Sequence, residues 1–297
     1  MTRRCLIFIT LFSVLCLVAG GQERRVSVAV LDMGGTETGV RASERVAKLL
    51  ASLGAARERG RFTLLDRDLS RAAAHGVGYA GSLNMTLAEA RALGAAVGCD
   101  FFFTGDAQTI RRSSSARPVY FESYASVFLV SARDGRLLFW DRPADEANTA
   151  EAAEAALLRR LEGRAREFAV IVAEAAAAEE RFAPPDDEPA SVIDLSSDEA
   201  ADAHKDLREP APYRRLRPAY TADASLAEAE ATVDALVEIG ADGEVGRVYV
   251  VRWAGFGLDE EVVATIRRMH FRPAARDGEP VAVRVLLRYN FRRPPKG

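Results

Sequence analysis

From Val281 to Phe291 the apolar residues Val281, Val283, Val285, Leu287, Tyr289 and Phe291 fall on every second position, and Arg284 and Arg288 stand between them. A period of two sends successive side chains to opposite faces of a strand. This segment therefore belongs in a sheet with one buried face and one charged face. Upstream, Val233, Ala235, Val237 and Ile239 alternate with Asp234 and Glu238. A turn at Ala241-Asp242-Gly243-Glu244 leads into the returning strand "VGRVYVVRW". Leu258, Val262, Ile266 and Met269 lie at i, i+4, i+8 and i+11, one face of a helix. Asp259, Glu260 and Glu261 occupy the start of that helix and Arg267 and Arg268 its end, in keeping with its dipole. Residues 216–297 thus read as a small α+β unit of β-β-α-β order.

Residues 25–145 carry a different pattern, in which strand and helix signals alternate. "RVSVAVLD", "RFTLLDRD" and "CDFFFTGDA" read as strands, the first and third as near-continuous apolar runs. Helical spacing recurs at Val40, Val46, Leu49, Leu50 and Leu53, and again from Ser70 to His75. "TLAEARALGAAVG" opens on Thr86 with Glu89 three residues later, a capping box. Two longer strands, "VYFESYASVFLVS" and "RLLFW", flank an Asp134-Gly135 hairpin turn. The pattern predicts an α/β domain with a mixed sheet in three layers. Residues 146–182 form an Ala/Glu-rich helix. Residues 183–215 read as an acidic, disordered linker, since 183–212 hold nine acidic and two basic residues and few large apolar ones. Within it, Val192-Ile193-Asp194-Leu195 is an apolar island of the kind that can serve as a short binding motif.

Residues 1–21 are expected to be a signal peptide. Arg3 and Arg4 precede an apolar run from Cys5 to Ala19, and small residues follow at Ala19-Gly20-Gly21. The run is about five residues short of the roughly 20 that a spanning helix needs. The other reading is an uncleaved signal anchor. Leu15 before Cys16 is too bulky for a lipidation site. Cleavage leaves one cysteine, Cys99, so the fold rests on its cores without an internal disulfide. The formal net charge of −3 argues against a nucleic-acid partner. His75, His204 and His270 share no metal-ligand spacing.

Catalytic chemistry finds little support. In "LDMGGTETG", Gly34 and Gly39 have the spacing of a phosphate-binding loop, but Val40 and Arg41 stand where Lys and Ser/Thr are required. A tight strand-to-helix turn accounts for the glycines. The same letters resemble the Asp-x-Gly-Gly-Thr loop of sugar kinases, which turns into a second strand where a helix is expected here. His75 falls in a Gly-rich stretch read as loop, and His270 at a helix end, where it would cap carbonyls. No Ser/His/Asp or Cys/His set can be assembled, so no enzyme, nucleotide or cofactor is expected. The favoured constellation is the basic face of the last strand, with Arg284, Leu286, Arg288 and Arg292 as partner-binding residues. An edge strand offers unpaired N–H and C=O groups to an incoming peptide, and the arginines would favour an acidic one. Equally, such charges guard an exposed edge against aggregation.

Two resemblances add to this reading. "RPAY" (217–220), "ADGEV", "GFGLDEEVVATIRRMHFRPA" (255–274) and "GEPVAVRVLLRYNF" make residues 216–297 similar to the TonB C-terminal domain family. Thr221 departs from that pattern, where members usually carry Pro. The resemblance implies a domain that pairs its last strand with a peptide of an outer-membrane protein. Separately, "VAVLDMGG", "RFTLLDRDLSRAAA", "ARALGAAVGCDFFFTGDAQ" and "VFLVSARDGRLLFW" make residues 25–145 resemble the CsgG/TolB-N group of periplasmic α/β domains. Together they imply a non-enzymatic periplasmic protein that binds an envelope or outer-membrane protein by strand addition, a role that would connect it with outer-membrane transport. The alternative is an inner-membrane-anchored energy transducer facing the periplasm.

Overall fold

The structure is a computed structural model that describes residues 25–55, 62–113, 119–181 and 192–293. The expected signal peptide and the start of the expected linker lie outside the described residues.

The first unit comprises β1 (Val26–Met33), α1 (Glu37–Ala55), β2 (Phe62–Leu64), α2 (Arg67–Gly76), α3 (Leu87–Val97), β3 (Phe101–Arg112), β4 (Tyr120–Ser131), β5 (Leu137–Asp141), β6 (Ala144–Ala147) and α4 (Ala150–Arg181). Its six strands form one sheet in the order β2-β1-β3-β4-β5, and β6 also pairs with β4. β2, β1 and β3 run parallel, while β4, β5 and β6 join antiparallel. The expected capping box at Thr86 and Glu89 is present and starts α3.

The apolar runs in β1, β3 and β4 are continuous because both faces of this sheet are covered. Val28, Val30, Phe101, Phe103, Val127 and Leu129 face one core with Leu50 of α1 and Leu157, Leu161, Phe168 and Val172 of α4. Ala29, Leu31, Phe102, Phe128 and Val130 face the other way. Ala90 and Leu93 of α3 cover part of that second face, and residues of the C-terminal half complete the cover.

The second half contains β7 (Ile193–Leu195), α5 (Asp198–Asp202), β8 (Leu207–Arg208), β9 (Ala211–Pro212), α6 (Ala222–Leu226), β10 (Ala231–Ile239), β11 (Val245–Arg252), α7 (Leu258–Ile266), β12 (Phe271–Arg272), β13 (Ala274–Arg276), β14 (Glu279–Val281) and β15 (Val283–Phe291). β10, β11, α7 and β15 supply the β-β-α-β order read from the sequence. β10 and β15 pair in register over their full lengths, from Ala231↔Phe291 to Ile239↔Val283. Leu258, Val262, Ile266 and Met269 are buried against the inner face of this sheet.

The described part of residues 183–215 is not the disordered linker its composition suggests. Residues 192–212 carry three short strands, and each is paired: β7 with β15, β8 with β13, and β9 with β12. A segment poor in large apolar residues is ordered here because the sheet edges of the C-terminal unit satisfy its backbone groups.

The two halves share one core. The loop Trp253-Ala254-Gly255-Phe256-Gly257 lies on the second face of the first sheet. Trp253 stacks on Phe128 with ring centroids 6.0 Å apart, and its indole N–H donates to the Gly135 carbonyl at 2.9 Å. Phe256 meets Phe128 edge-on at 5.3 Å and Trp140 at 5.7 Å. Gly255, Phe256 and Gly257 all have positive φ. At Gly255 a Cβ would come within 2.4 Å of the Phe128 ring, so only glycine fits both the backbone and the neighbour. Asn84 links the halves from the first unit: its side chain donates to the carbonyls of Thr232 and Trp253 at 2.7 and 2.6 Å, and accepts from the Thr232 N–H at 2.9 Å.

Candidate functional site

The C-terminal sheet has the order β11-β10-β15-β7. The expected partner-binding strand is therefore not a bare edge. Among the described residues, β7 runs parallel to it and pairs Ile193, Asp194 and Leu195 with Val283, Arg284 and Val285. The Ile193 N–H donates to the Ala282 carbonyl at 3.0 Å. Since main-chain groups alternate sides along a strand, Arg284, Leu286, Arg288 and Asn290 direct theirs to this same edge. Among the described residues, β7 pairs with only the first part of it, Val283 to Val285.

The outer face of the sheet is built in rows. In the first, Glu238 of β10 accepts from Arg247 of β11 at 2.8 and 3.0 Å and from Arg284 of β15 at 3.0 Å. Asp194 of β7 stands beside Arg284 and continues the row. Burial alone would raise the Glu238 carboxyl, but the two arginines outweigh it and hold it below its ordinary value. The next row is apolar, with Leu236 of β10 opposite Tyr249 of β11 and Leu286 of β15. In the third row Arg288 grips Asp234 through two bonds of 2.7 and 3.0 Å, and Arg252 of β11 approaches from the other side at 3.5 Å. Asp234 is only 3% exposed. The Asp234 contact raises the Arg288 guanidinium above its ordinary value.

Of the residues singled out in the sequence, Arg284, Leu286 and Arg288 share this face. Their charges, however, are engaged by acids within the sheet rather than held out as a basic strip. Arg292 is exposed just past the end of β15, and its neighbour Arg293 pairs with Glu228 at 2.7 Å. Sequence reasoning missed the role of Asp234 and Glu238, although both appear as the outward residues of the alternating β10 pattern. Directly opposite charges on paired strands were the available signal. It could be used only with the register known.

Other sequence expectations fare variously. Cys99 is mostly buried, and burial pushes its thiol up to about 12, which keeps it protonated at neutral pH. His75 lies in the last turn of α2 rather than in a loop, with Nε2 3.8 Å from Asp32. The His270 side chain does not cap helix carbonyls; its ring nitrogen contacts the Glu244 carboxylate at 3.0 Å, because the chain turns into β12 directly after it. Thr221 has a clear local role: it caps α6, and its hydroxyl donates to the Phe256 carbonyl at 2.6 Å. Tyr220 closes the same entry segment by donating to the Ala224 and Ala229 carbonyls, its ring lying near Phe291. Asp259, at the start of α7, accepts from the N–H groups of Ala254 and Gly255 at 2.9 and 2.8 Å and so pins the loop that meets the first unit.

This combination of sheet, helix and closing strand agrees with a family match. The family described as Gram-negative bacterial TonB protein C-terminal covers residues 217–292. Residues 217–292 are a TonB C-terminal domain. Among solved structures, the TonB C-terminal domain of Pseudomonas aeruginosa is similar at 22% identity over 35% of this chain and 96% of that one, with a TM-score of 0.27. A lipoprotein from Neisseria meningitidis is similar at 12% identity over 48% of this chain and 98% of that one, with a TM-score of 0.31. The LpoB C-terminal domain from Salmonella enterica is similar at 16% identity over 42% of this chain and 86% of that one, with a TM-score of 0.27. No curated protein matches the chain.

Proposed function

We propose that this is a non-enzymatic periplasmic protein of the bacterial envelope whose TonB C-terminal domain holds an extended segment of another envelope protein as a strand added to β15. The N-terminal unit, read as a CsgG/TolB-N-like domain, serves as the rigid body on which that sheet is mounted. The observation that carries the reading is the bond from the Ile193 N–H to the Ala282 carbonyl. It marks this edge as one where a parallel strand finds main-chain partners, and the edge continues past β7 through Leu286, Arg288 and Asn290.

Strand addition draws its affinity from main-chain bonds, so the decisive perturbation is a proline on the edge side. Leu286→Pro removes a donor from that edge while leaving the pairing groups that face β10. A photo-crosslinking side chain at Asn290 in intact cells should trap a partner, and Leu286→Pro should abolish the adduct with thermal unfolding unchanged. Adducts that persist in a folded Leu286→Pro variant would place the partner elsewhere. Reversing Arg284 or Arg288 to Glu is a poor test, because it sets like charges against the buried Glu238 or Asp234 and so attacks the fold.

A further inference from the structure

We propose that β7 is a self-ligand: the chain's own strand occupies the β15 edge, and a partner strand of the same chemistry binds by displacing it. This rests on the strand-addition reading above.

Three features of β7 point this way. Its pairing is parallel and in register with Val283, Arg284 and Val285. Its side chains complete both faces of the sheet: Ile193 and Leu195 pack against the core on the inside, and Asp194 on the outside extends the row of Arg247, Glu238 and Arg284 with alternating sign. Burial raises the Asp194 carboxyl, but its bonds with Ser196 and the Arg284 charge more than offset that and hold it below its ordinary value. The seat is also short. After Leu195 the Ser196 N–H donates back to Asp194 at 2.8 Å and Ser197 accepts from the Ala200 N–H at 3.1 Å, so the chain turns into α5 and leaves the edge. An occupant that makes three pairs on a nine-residue strand can be outcompeted by one that makes more.

The rows of the outer face specify the competitor. In the β7 register, the residue opposite Arg284 should be acidic, as Asp194 is. The residue two further on falls opposite Leu286, at the end of the apolar row formed with Leu236 and Tyr249. The residue four further on falls opposite Arg288. Residues between these face the core and should be apolar. The partner is thus an extended segment, parallel to β15, with two acidic residues four apart and apolar residues between them. β7 itself has Asp194 and Asp198 at this spacing, but Ser196 and Ser197 intervene and Asp198 opens α5.

The test uses the whole protein and a fluorescent peptide of residues 190–198 bearing Ser196→Leu and Ser197→Val, so that it can remain extended. An attached strand competes at an effective concentration on the order of millimolar. Wild type should therefore bind the peptide weakly. Two variants release β7 by different means: Ile193→Pro removes the donor to Ala282, and Asp194→Lys, at an exposed side chain, sets a positive charge beside Arg284. Both should bind at least about tenfold tighter than wild type, and a peptide with both acids changed to lysine should not bind. Circular dichroism and thermal unfolding check that both variants fold. Equal affinity in wild type and both variants, or no binding by any of them, overturns the self-ligand while crosslinking at Asn290 continues to report on strand addition. Tight binding that survives Leu286→Pro in the released variants places the peptide off β15 and overturns both.

Discussion

Trp253→Ala tests whether the two halves form one cooperative body. Trp253 is 2% exposed, stacks on Phe128 of the first sheet and bonds to Gly135 in the β4–β5 turn. Removing the ring leaves a cavity between the halves, and a buried Trp or Phe truncated to Ala costs about 3–5 kcal/mol. Trp253→Phe separates volume from hydrogen bonding. It keeps most of the stacking but leaves the Gly135 carbonyl without the indole donor, a loss of about 1–3 kcal/mol for a buried acceptor. Urea unfolding followed by far-ultraviolet circular dichroism should show one transition for wild type, with the midpoint lowered more by Ala than by Phe. A loss below about 1 kcal/mol for Trp253→Ala, or two separate transitions in wild type, would refute the shared core.

The other expectations are briefer. Introducing a specific protease site between residues 183 and 190 and cutting it should yield two fragments that elute together in gel filtration, because the core that joins the halves does not depend on that peptide bond; separate elution would show two independent units. Phe271, 3% exposed, anchors the turn from α7 into β12, so Phe271→Ala should cost about 3–5 kcal/mol in the same urea assay, and an unchanged midpoint would show that this packing is misassigned. Burial pushes the Asp259 carboxyl up to about 7, against the pull of its two backbone N–H bonds, whereas in the unfolded chain it titrates near about 4. The folded state thus holds a proton that the unfolded state releases. The associated stability is complete below about pH 4 and is lost as pH rises to about 7, at up to about 1.4 kcal/mol per pH unit. Asp259→Asn should flatten that part of the stability–pH curve, and an identical curve in the variant would remove Asp259 as its source.

Local periodicity determined most of the C-terminal unit. The alternation in β10 and β15, the four apolar residues on one face of α7 and the turn at Gly243 each express a constraint that acts within one element, so the sequence carries it openly. The same holds for the capping box of α3 and for the continuous apolar runs of β1, β3 and β4, which state that both faces of that sheet must be covered. They do not state by what. That the Trp253–Gly257 loop supplies part of the cover depends on surfaces more than a hundred residues apart in the chain, for which no local period exists. Composition misled at residues 192–212, because backbone pairing along existing sheet edges orders a segment that has few apolar side chains of its own. The arginines of β15 were visible from the sequence. Whether they await a partner or answer Asp234 and Glu238 on the next strand was a matter of register, and register is fixed only when the sheet assembles.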